Sequence, residues 1–162
     1  MTNKQAILKY IEGKLNVNIN GLHGINHWSR VEKLGYYLAK SNGSDIIVLS
    51  LFAYTHDLGR IDDDEDIDHG IRSARIVKDL YDQKIINISS VQFEQLMYAC
   101  SYHSLKSAHS EDVTIQTCWD ADRLDLWRDG IQPIPELLFT QEAKKQETIS
   151  WARDLFVGFS FE

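Results

Sequence analysis

The sequence predicts an all-α fold. Apolar residues recur at spacings of three and four along most of the 162 residues, and this is the spacing of one face of a helix. Only Pro133 and Pro135 interrupt the pattern. The one strand-like stretch, residues 46–48, has no second stretch of similar quality with which it could form a sheet. We therefore expect a helical bundle that folds as a single domain over residues 1–162, a length that can bury an adequate core.

The first two helices follow from their end signals. Thr2 can cap a first helix over residues 3–15. After a loop rich in Asn and Gly, a second helix is expected to begin near Asn26. It ends at Asn42 and Gly43, a common C-terminal signal.

His27 lies on the apolar face of this second helix. The other members of the face are Val31, Leu34 and Leu38. The imidazole is therefore expected to point towards the core, with Arg30 flanking the face. His23 lies in the preceding loop, and the periodicity gives it no inward placement.

The third helix ends in an adjacent His–Asp pair. Ser44 can cap a helix over residues 45–57, and Gly59 marks its end. His56 and Asp57 follow a mostly apolar segment, where an imidazole and a carboxylate are costly to desolvate without a partner. Both are ordinary ligands of divalent metals. Adjacent residues of a helix diverge by about 100°, so the two can bind one ion only near a helix end.

The next two helices each carry a histidine. A fourth helix is expected over residues 68–82, with His69 in its first turn. Its predicted inward residues are Ile71, Ala74, Val77 and Leu80. A fifth helix begins at Ser89, and Gln92 is suitably placed for a capping box. His103 is in register with the apolar face of this helix, which comprises Phe93, Leu96 and Cys100.

The sixth helix adds an inward carboxylate. Asp112 can cap a helix over residues 113–126. Its apolar face comprises Ile115, Cys118, Trp119 and Leu126. Asp122 falls on the same face, whereas Asp120 and Asp125 point elsewhere or to the margins of the face.

Metal-capable side chains thus face inwards from four helices, and His69 begins a fifth. They are His27, His56 with Asp57, His103, and Asp122. A single inward histidine is usually a core residue with satisfied hydrogen bonds, and a single such aspartate is usually a helix-end or salt-bridge carboxylate. Several of these groups in one small core would cost several kcal/mol without a shared partner. One metal ion would remove this cost for all of them.

These residues also resemble a known signature. The order of His27, the His56–Asp57 pair and Asp122 resembles the H…HD…D signature of the HD-domain superfamily of metal-dependent phosphohydrolases. The supporting segments are HWSRV at 27–31, HDLGR at 56–60 and DADRLD at 120–125. The resemblance covers about residues 21–130, which is most of the chain.

The resemblance implies an all-α bundle of the HD-domain type that holds one divalent cation, whether Mn, Mg, Co, Zn or Fe. The ligands that it implies are His27, His56, Asp57 and Asp122. The position of Asp122 on the apolar face of the sixth helix likewise favours Asp122 over Asp120. Two features depart from the family pattern. Arg60 stands where many members carry lysine, and His69 follows the pair more closely than the corresponding histidine of the dinuclear branch does.

The implied chemistry is the hydrolysis of a nucleotide or another small phosphate ester. A bound divalent ion lowers the pKa of a water ligand and polarises a phosphoryl oxygen. Asp57 could orient or deprotonate that water, while His69 and His103 could bind phosphate, donate a proton to the leaving group or hold a second metal. The candidates for binding phosphate are Arg30, Arg60 and Arg123. A guanidinium matches phosphate in a bidentate manner, although a surface ion pair explains each arginine equally well.

Composition limits the other partners. The net charge of −7 argues against general nucleic-acid binding but leaves room for a basic pocket that binds a small anion. Cys100 and Cys118 lie in apolar helical patterns and form no CxxC motif, as expected for buried thiols of a reducing compartment. There is no signal-peptide pattern and no apolar run long enough to span a bilayer. We expect a cytoplasmic protein without a membrane partner, with a final amphipathic helix over residues 141–156.

Two alternatives to the hydrolase stay open. With His69 and His103 included, four histidines and two aspartates are enough for a dinuclear iron site, which some proteins similar to this family use for oxidative cleavage. The second alternative is a metal-holding regulatory module without catalysis. Two irons per chain would favour the oxygenase, and one ion with phosphate release would favour the hydrolase. Metal without phosphate release would favour the module.

Overall fold

The fold is built from helices. A computed structural model of the protein describes residues 1–159, and these residues contain no strand. The all-α prediction is confirmed. Over the same residues, no helix combines the length and the apolar character needed to cross a bilayer. In chain order, the helices are α1 (Asn3–Ile11), α2 (Ile25–Asn42), α3 (Ile46–Thr55), α4 (His69–Asp82), α5 (Ser90–Tyr102), α6 (Val113–Leu124) and α7 (Gln146–Phe159), with two short 3-10 helices at Asp125–Asp129 and Pro135–Leu137.

Most predicted capping residues cap their helices. Thr2 and Ser89 each form a capping box with a glutamine three residues further on, and the Asp112 carboxylate accepts from two backbone amides of α6. These contacts satisfy amides that have no partner within the first turn of a helix. Gly43, with φ of +72°, ends α2 in the left-handed conformation that glycine adopts without strain.

The predicted cap of α3 was wrong by one residue. Asp45 caps this helix, because its carboxylate accepts from the amides of Ile47 and Val48. The Ser44 hydroxyl lies 2.8 Å from that of Thr117 and ties the α2–α3 turn to α6 instead. As α3 ends at Thr55, His56 and Asp57 lie in the turn that follows it.

Other boundaries also differ from the prediction. The first helix ends at Ile11 rather than residue 15, because the chain turns at Gly13 with φ of +72°. The sixth ends at Leu124 and continues as a 3-10 helix. The last begins at Gln146 rather than residue 141, since residues 140–145 form separate hydrogen-bonded turns.

The centre of the core is where α2, α3 and α6 meet. A Cβ at Gly35 of α2 would lie 3.5 Å from Leu49 of α3 and 3.8 Å from Ala121 of α6, which are ordinary contact distances, so the three helices pack closely around this residue. The largest side chains buried around this contact include Trp28, Phe52, Tyr54 and Trp119. Ile71, predicted to face inwards, is 46% exposed. The inner face of α4 is instead formed with the smaller Gly70 and Ser73.

Two glycines bring α4 against the end of α3 and the end of α5. A Cβ at Gly59 would lie 2.4 Å from the Ser73 amide and 2.6 Å from the His69 carbonyl. A Cβ at Gly70 would lie 2.7 Å from the Cys100 carbonyl. Since real Cβ atoms do not come so close, only glycine permits this packing. The contact fixes the first turn of α4 beside the His56–Asp57 turn.

Candidate metal centre

Six histidine and aspartate side chains converge at one end of the bundle. They are His27, His56, Asp57, His69, His103 and Asp122. They come from α2, the turn after α3, the start of α4, the end of α5 and the last turn of α6. Five of them are buried, and the Asp122 side chain is 14% exposed. The structure therefore brings together all the predicted metal and catalytic residues.

Four of these side chains form a first group. The Nε2 atoms of His27 and His56 are 3.1 Å apart. Asp57 Oδ2 lies 3.5 and 3.2 Å from these two nitrogens, and Asp122 Oδ1 lies 3.4 and 3.6 Å from them. Ligand atoms that share one cation at about 2.1 Å are separated by roughly 3.0 to 3.4 Å, depending on the geometry. The observed spacing is close to this range.

Two carboxylate oxygens of this group have no hydrogen-bond partner. Asp57 Oδ2 and Asp122 Oδ1 are both buried, and neither is satisfied by another atom of residues 1–159. A buried charged oxygen without a partner is costly. A divalent cation among the four ligand atoms would satisfy both oxygens, so this donor set fits a metal ion.

Asp57 also belongs to a second group through its other oxygen. The Nε2 atoms of His69 and His103 are 2.8 Å apart, and they lie 3.3 and 3.7 Å from Asp57 Oδ1. One carboxylate thus faces two imidazoles with each of its oxygens. This arrangement can hold two cations that share Asp57 as a bridging ligand.

Each of the four imidazoles presents Nε2 to the centre and uses Nδ1 elsewhere. The acceptors of Nδ1 are the carbonyls of Phe52 for His56 (3.0 Å), Cys100 for His103 (2.8 Å) and Asp66 for His69, and the carboxylate of Asp125 for His27 (2.7 Å). Because these carbonyl and carboxylate oxygens accept, Nδ1 carries a proton in each ring, and the lone pair of Nε2 points into the centre when the imidazole is neutral. Metal-binding histidines are commonly oriented by such contacts.

Asp125 connects His27 to Arg30. Its carboxylate accepts from Arg30 Nε at 2.7 Å and from Arg30 Nη2 at 2.9 Å. Arg30 is thereby placed behind His27 and does not line the pocket described below. Sequence analysis put Asp125 at the margin of a helical face, but the 3-10 helix that begins there turns its carboxylate inwards. Asp125 follows Asp122 by three residues, a spacing that places two side chains on the same side of a helix, so the sequence did contain a signal for its inward direction.

Asp120 lies away from the centre although it is fully buried. Its carboxylate accepts from the amide of Phe139 at 2.8 Å and from the amide and hydroxyl of Thr140, both at 2.7 Å. Asp120 therefore fixes the segment that follows the second 3-10 helix.

The carboxylates make the centre attractive to cations. Burial disfavours a charged imidazole, yet Asp57 and Asp122 outweigh this effect and raise the pKa of His56 to about 10. Burial likewise disfavours charge on the two aspartates, but the neighbouring imidazoles hold the pKa of both carboxyls well below their usual range. Without a metal, the carboxylates are thus paired with a proton on His56, which a metal ion would displace.

The centre opens into a pocket of about 320 Å³. The basic side chains that line it are Arg60, Lys106, Arg123 and Arg128. Arg60 Nε donates to Asp57 Oδ1 at 3.0 Å, and Arg123 donates to the carbonyls of Leu137 and Leu105 at 2.6 and 3.4 Å. In a chain with a net charge of −7, this local concentration of cations favours an anionic ligand.

Three basic residues that line the pocket were not predicted from the sequence. Lys106 and Arg128 belong to segments without helical periodicity, where facing cannot be predicted. The third is His23, which is 5% exposed and whose Nδ1 lies 2.8 Å from Asp63 Oδ1. His23 precedes His27 by four residues, which would give the two side chains a common direction within a helix. However, α2 begins only after Gly24, so helical spacing does not apply to His23.

In comparisons with known proteins, one family model matches the chain. The family model described as HD domain matches residues 24–145, which is more than half of the chain and includes all six residues of the centre. Neither the curated proteins nor the solved structures gave a match.

Proposed function

Because the chain belongs to the HD domain family, we propose that it is a metal-dependent phosphohydrolase that acts on a small phosphate ester, either a nucleotide or another compound of this class. One observation carries the proposal. A buried His/Asp centre, with carboxylate oxygens that lack a protein partner, opens into a pocket lined by basic side chains. The centre suits a divalent cation, and the pocket suits the phosphate of a substrate.

His27, His56, Asp57 and Asp122 would hold the metal ion. Once bound, a divalent ion lowers the pKa of a water ligand and polarises a phosphoryl oxygen. Asp57, a ligand through Oδ2, would orient the attacking water through Oδ1. Arg60 Nε donates to this same oxygen at 3.0 Å and fixes its direction.

Arg60 and Arg123 would bind the phosphate of the substrate. Both line the pocket, and a guanidinium presents a planar set of donors suited to phosphate oxygens, although some of these donors already contact Asp57 and backbone carbonyls. Arg30 is better explained as a positioning residue, because Asp125 accepts from two of its nitrogens and connects it to His27.

The His69–His103 pair would hold either a proton or a second cation. Both Nδ1 atoms donate to carbonyls, so two Nε2 lone pairs would face each other at 2.8 Å without a cation between them. With one metal ion bound in the centre, a proton shared by these two Nε2 atoms could pass to the leaving oxygen. With two metal ions bound, both histidines would be ligands and Asp57 would bridge.

The test combines metal analysis with phosphate release. Purified full-length protein is stripped of metal and reloaded with Mn, Mg, Co, Zn or Fe, and metal content and phosphate release are measured on a panel of nucleotides and other phosphate monoesters. We expect one or two ions per chain and phosphate release that depends on one or more of these metals. Protein that binds metal but releases no phosphate from any ester would contradict the hydrolase and favour a regulatory module.

The second group of ligands favours one alternative function, a dinuclear iron oxygenase. Asp57, His69 and His103 complete a six-residue set that could hold two irons. The distinguishing outcome is two irons per chain, an iron-dependent optical spectrum and consumption of O₂ without phosphate release.

A further inference from the structure

Arg128 is a buried cation whose donors are only partly used. Its side chain is 7% exposed and lines the pocket. Nη1 donates to the carbonyl of Asp125 at 3.1 Å, but Nε has no hydrogen-bond partner within the described part of the chain. The nearest carboxylate oxygens are those of Asp122 (3.8 Å), Asp125 (4.0 Å) and Asp129 (3.8 Å). These distances give attraction but no hydrogen bond, so the guanidinium has donors to offer a ligand.

Arg30 is an arginine that is similarly buried but donates hydrogen bonds to the protein itself. Its Nε and Nη2 donate to the two oxygens of Asp125 at 2.7 and 2.9 Å, and it lies outside the pocket lining. Arg128 approaches the same carboxylate no closer than 4.0 Å and turns towards the pocket. Arg30 thus holds Asp125 in place, and Arg128 is placed to bind a ligand.

Arg128 is also close to the metal centre. Its Nη2 lies 3.8 Å from Asp122 Oδ1, the buried oxygen that has no hydrogen-bond partner and belongs to the proposed ligand set. An oxyanion bound beside Asp122 would therefore lie within reach of Arg128. A tetrahedral phosphate has several oxygens, so it can contact the centre with one and a guanidinium with two.

Apart from the polar residues Ser104, Asp129 and Gln132, the remaining wall of the pocket is aliphatic. It consists of Leu126, Ile131, Pro133, Ile134, Leu137 and Leu138. Ile131 and Ile134 are each 51% exposed, and Leu137 is 48% exposed, so an apolar ligand would remove part of their surface from water. Within the described chain, no Phe, Tyr or Trp lines this pocket, and Gln132 is its only side-chain amide. The pocket therefore offers no stacking on Phe, Tyr or Trp, and hydrogen bonds to a nucleobase would have to come from Ser104, Gln132, Asp129 or the basic side chains.

We propose that this pocket binds a phosphate monoester with an apolar organic group. Arg128 binds the phosphate oxygens, and the aliphatic wall contacts the organic group. This assignment rests on the proposed function and narrows its substrate class from phosphate esters in general to alkyl or aryl phosphates.

The first experiment measures phosphate binding and turnover in Arg128 variants. Inorganic phosphate is titrated calorimetrically into metal-loaded wild type, Arg128→Gln and Arg128→Lys, and metal content is measured in parallel. We expect Arg128→Gln to weaken phosphate binding at least tenfold and to raise KM without loss of metal. Arg128→Lys keeps the charge but loses the bidentate geometry, so it should recover only part of the affinity.

Arg153→Gln is the matched control, because this side chain is 57% exposed on α7. It should leave the affinity for phosphate and KM within twofold of wild type. Phosphate affinity that stays within twofold in both Arg128 variants would overturn the role of Arg128. If Arg128→Gln does not fold, the Arg128→Lys result decides.

The second experiment compares organic groups. Binding of hexylphosphonate, which cannot be hydrolysed as an ester, is measured against methylphosphonate and a nucleoside 5′-monophosphate. We expect hexylphosphonate to bind at least tenfold more tightly than either. The double substitution Ile134→Ser with Leu137→Ser should remove most of this preference and leave methylphosphonate binding unchanged. Equal or tighter binding of the nucleotide would overturn the assignment of the wall.

These binding measurements separate the two proposals. Wild-type protein that releases no phosphate from any ester would refute the proposed hydrolase function. The phosphate and phosphonate titrations would still show whether Arg128 binds phosphate and whether the aliphatic wall binds an apolar group. Conversely, efficient hydrolysis with unaltered phosphate binding in the Arg128 variants would refute this inference and leave the hydrolase intact.

Discussion

The floor and the wall of the pocket are built in different ways. The floor is the six-residue His/Asp centre, which is almost fully buried and whose imidazoles are oriented by fixed oxygen acceptors. The wall is the segment from Leu126 to Leu138, which lies mostly outside α-helices and exposes about half of several aliphatic side chains. Precise placement of the proposed metal-binding groups thus depends on helix ends and fixed acceptors, whereas apolar contact with a ligand does not.

The largest effect is expected from removing a ligand of the floor. His56→Ala or Asp57→Ala should reduce bound metal to trace levels and lower phosphate release at least 100-fold, because each removes a donor and leaves other buried charges unpaired. Elemental analysis and a phosphate assay check this. His109→Ala is the control, since that imidazole is 70% exposed. Full activity of His56→Ala without metal would refute the role of the floor.

A smaller effect is expected from a change at Asp125, which contacts the proposed metal-binding residue His27 from outside the centre. Asp125→Asn should weaken metal binding by about 10- to 100-fold, because it weakens the contact that orients His27. It should also lower the free energy of unfolding by about 2 kcal/mol, because two hydrogen bonds from Arg30 lose their charged acceptor. Metal titration and urea denaturation measure the two effects. Asp154→Asn, at a 68% exposed side chain, is the control. Unchanged metal affinity would show that Asp125 does not orient the floor.

The smallest predicted effect, counted per pH unit, is that of pH on metal binding. In the metal-free protein the pKa of His56 is raised from 6.5 to about 10. The stability that comes from its proton is therefore fully present below pH 6.5 and is lost as pH rises towards 10. A metal ion requires the neutral imidazole and competes with this proton.

Metal affinity should consequently rise with pH between 6.5 and 10, by at most about tenfold per pH unit for the one proton released. Titrations at pH 6.5, 7.5 and 8.5 measure the slope, and thermal melts of the metal-free protein over the same range should show falling stability. A metal affinity that does not change with pH would contradict the proposed exchange.

Helical periodicity and caps were enough to predict much of the fold and the direction of several site residues. The apolar face of α2 placed His27 inwards, and that of α6 separated Asp122 from Asp120. Both predictions use only local spacing along a regular helix. The caps Thr2, Ser89 and Asp112 act through backbone amides of the next three residues, so they too are local signals.

The remaining site residues depend on structure that the periodicity does not encode. Asp125 and Arg128 face inwards because α6 passes into a 3-10 helix, where the angle between successive residues differs from that of an α-helix. Lys106 and His23 lie in turns, and packing between distant segments sets their direction. For the same reason, the sequence suggested a phosphate ester but could not reveal the aliphatic wall.

The packing of Gly59 and Gly70 has a consequence for how many cations the protein can hold. His69 is the only one of the six groups that α4 supplies, and these two glycines let α4 lie against the neighbouring helix ends. A methyl group at either position would push the first turn of α4 outwards and take His69 away from Asp57. The group of His27, His56, Asp57 and Asp122 would keep its members. In the proposed centre, the absence of a side chain at these two glycines would thus be what allows a second ion beside the first.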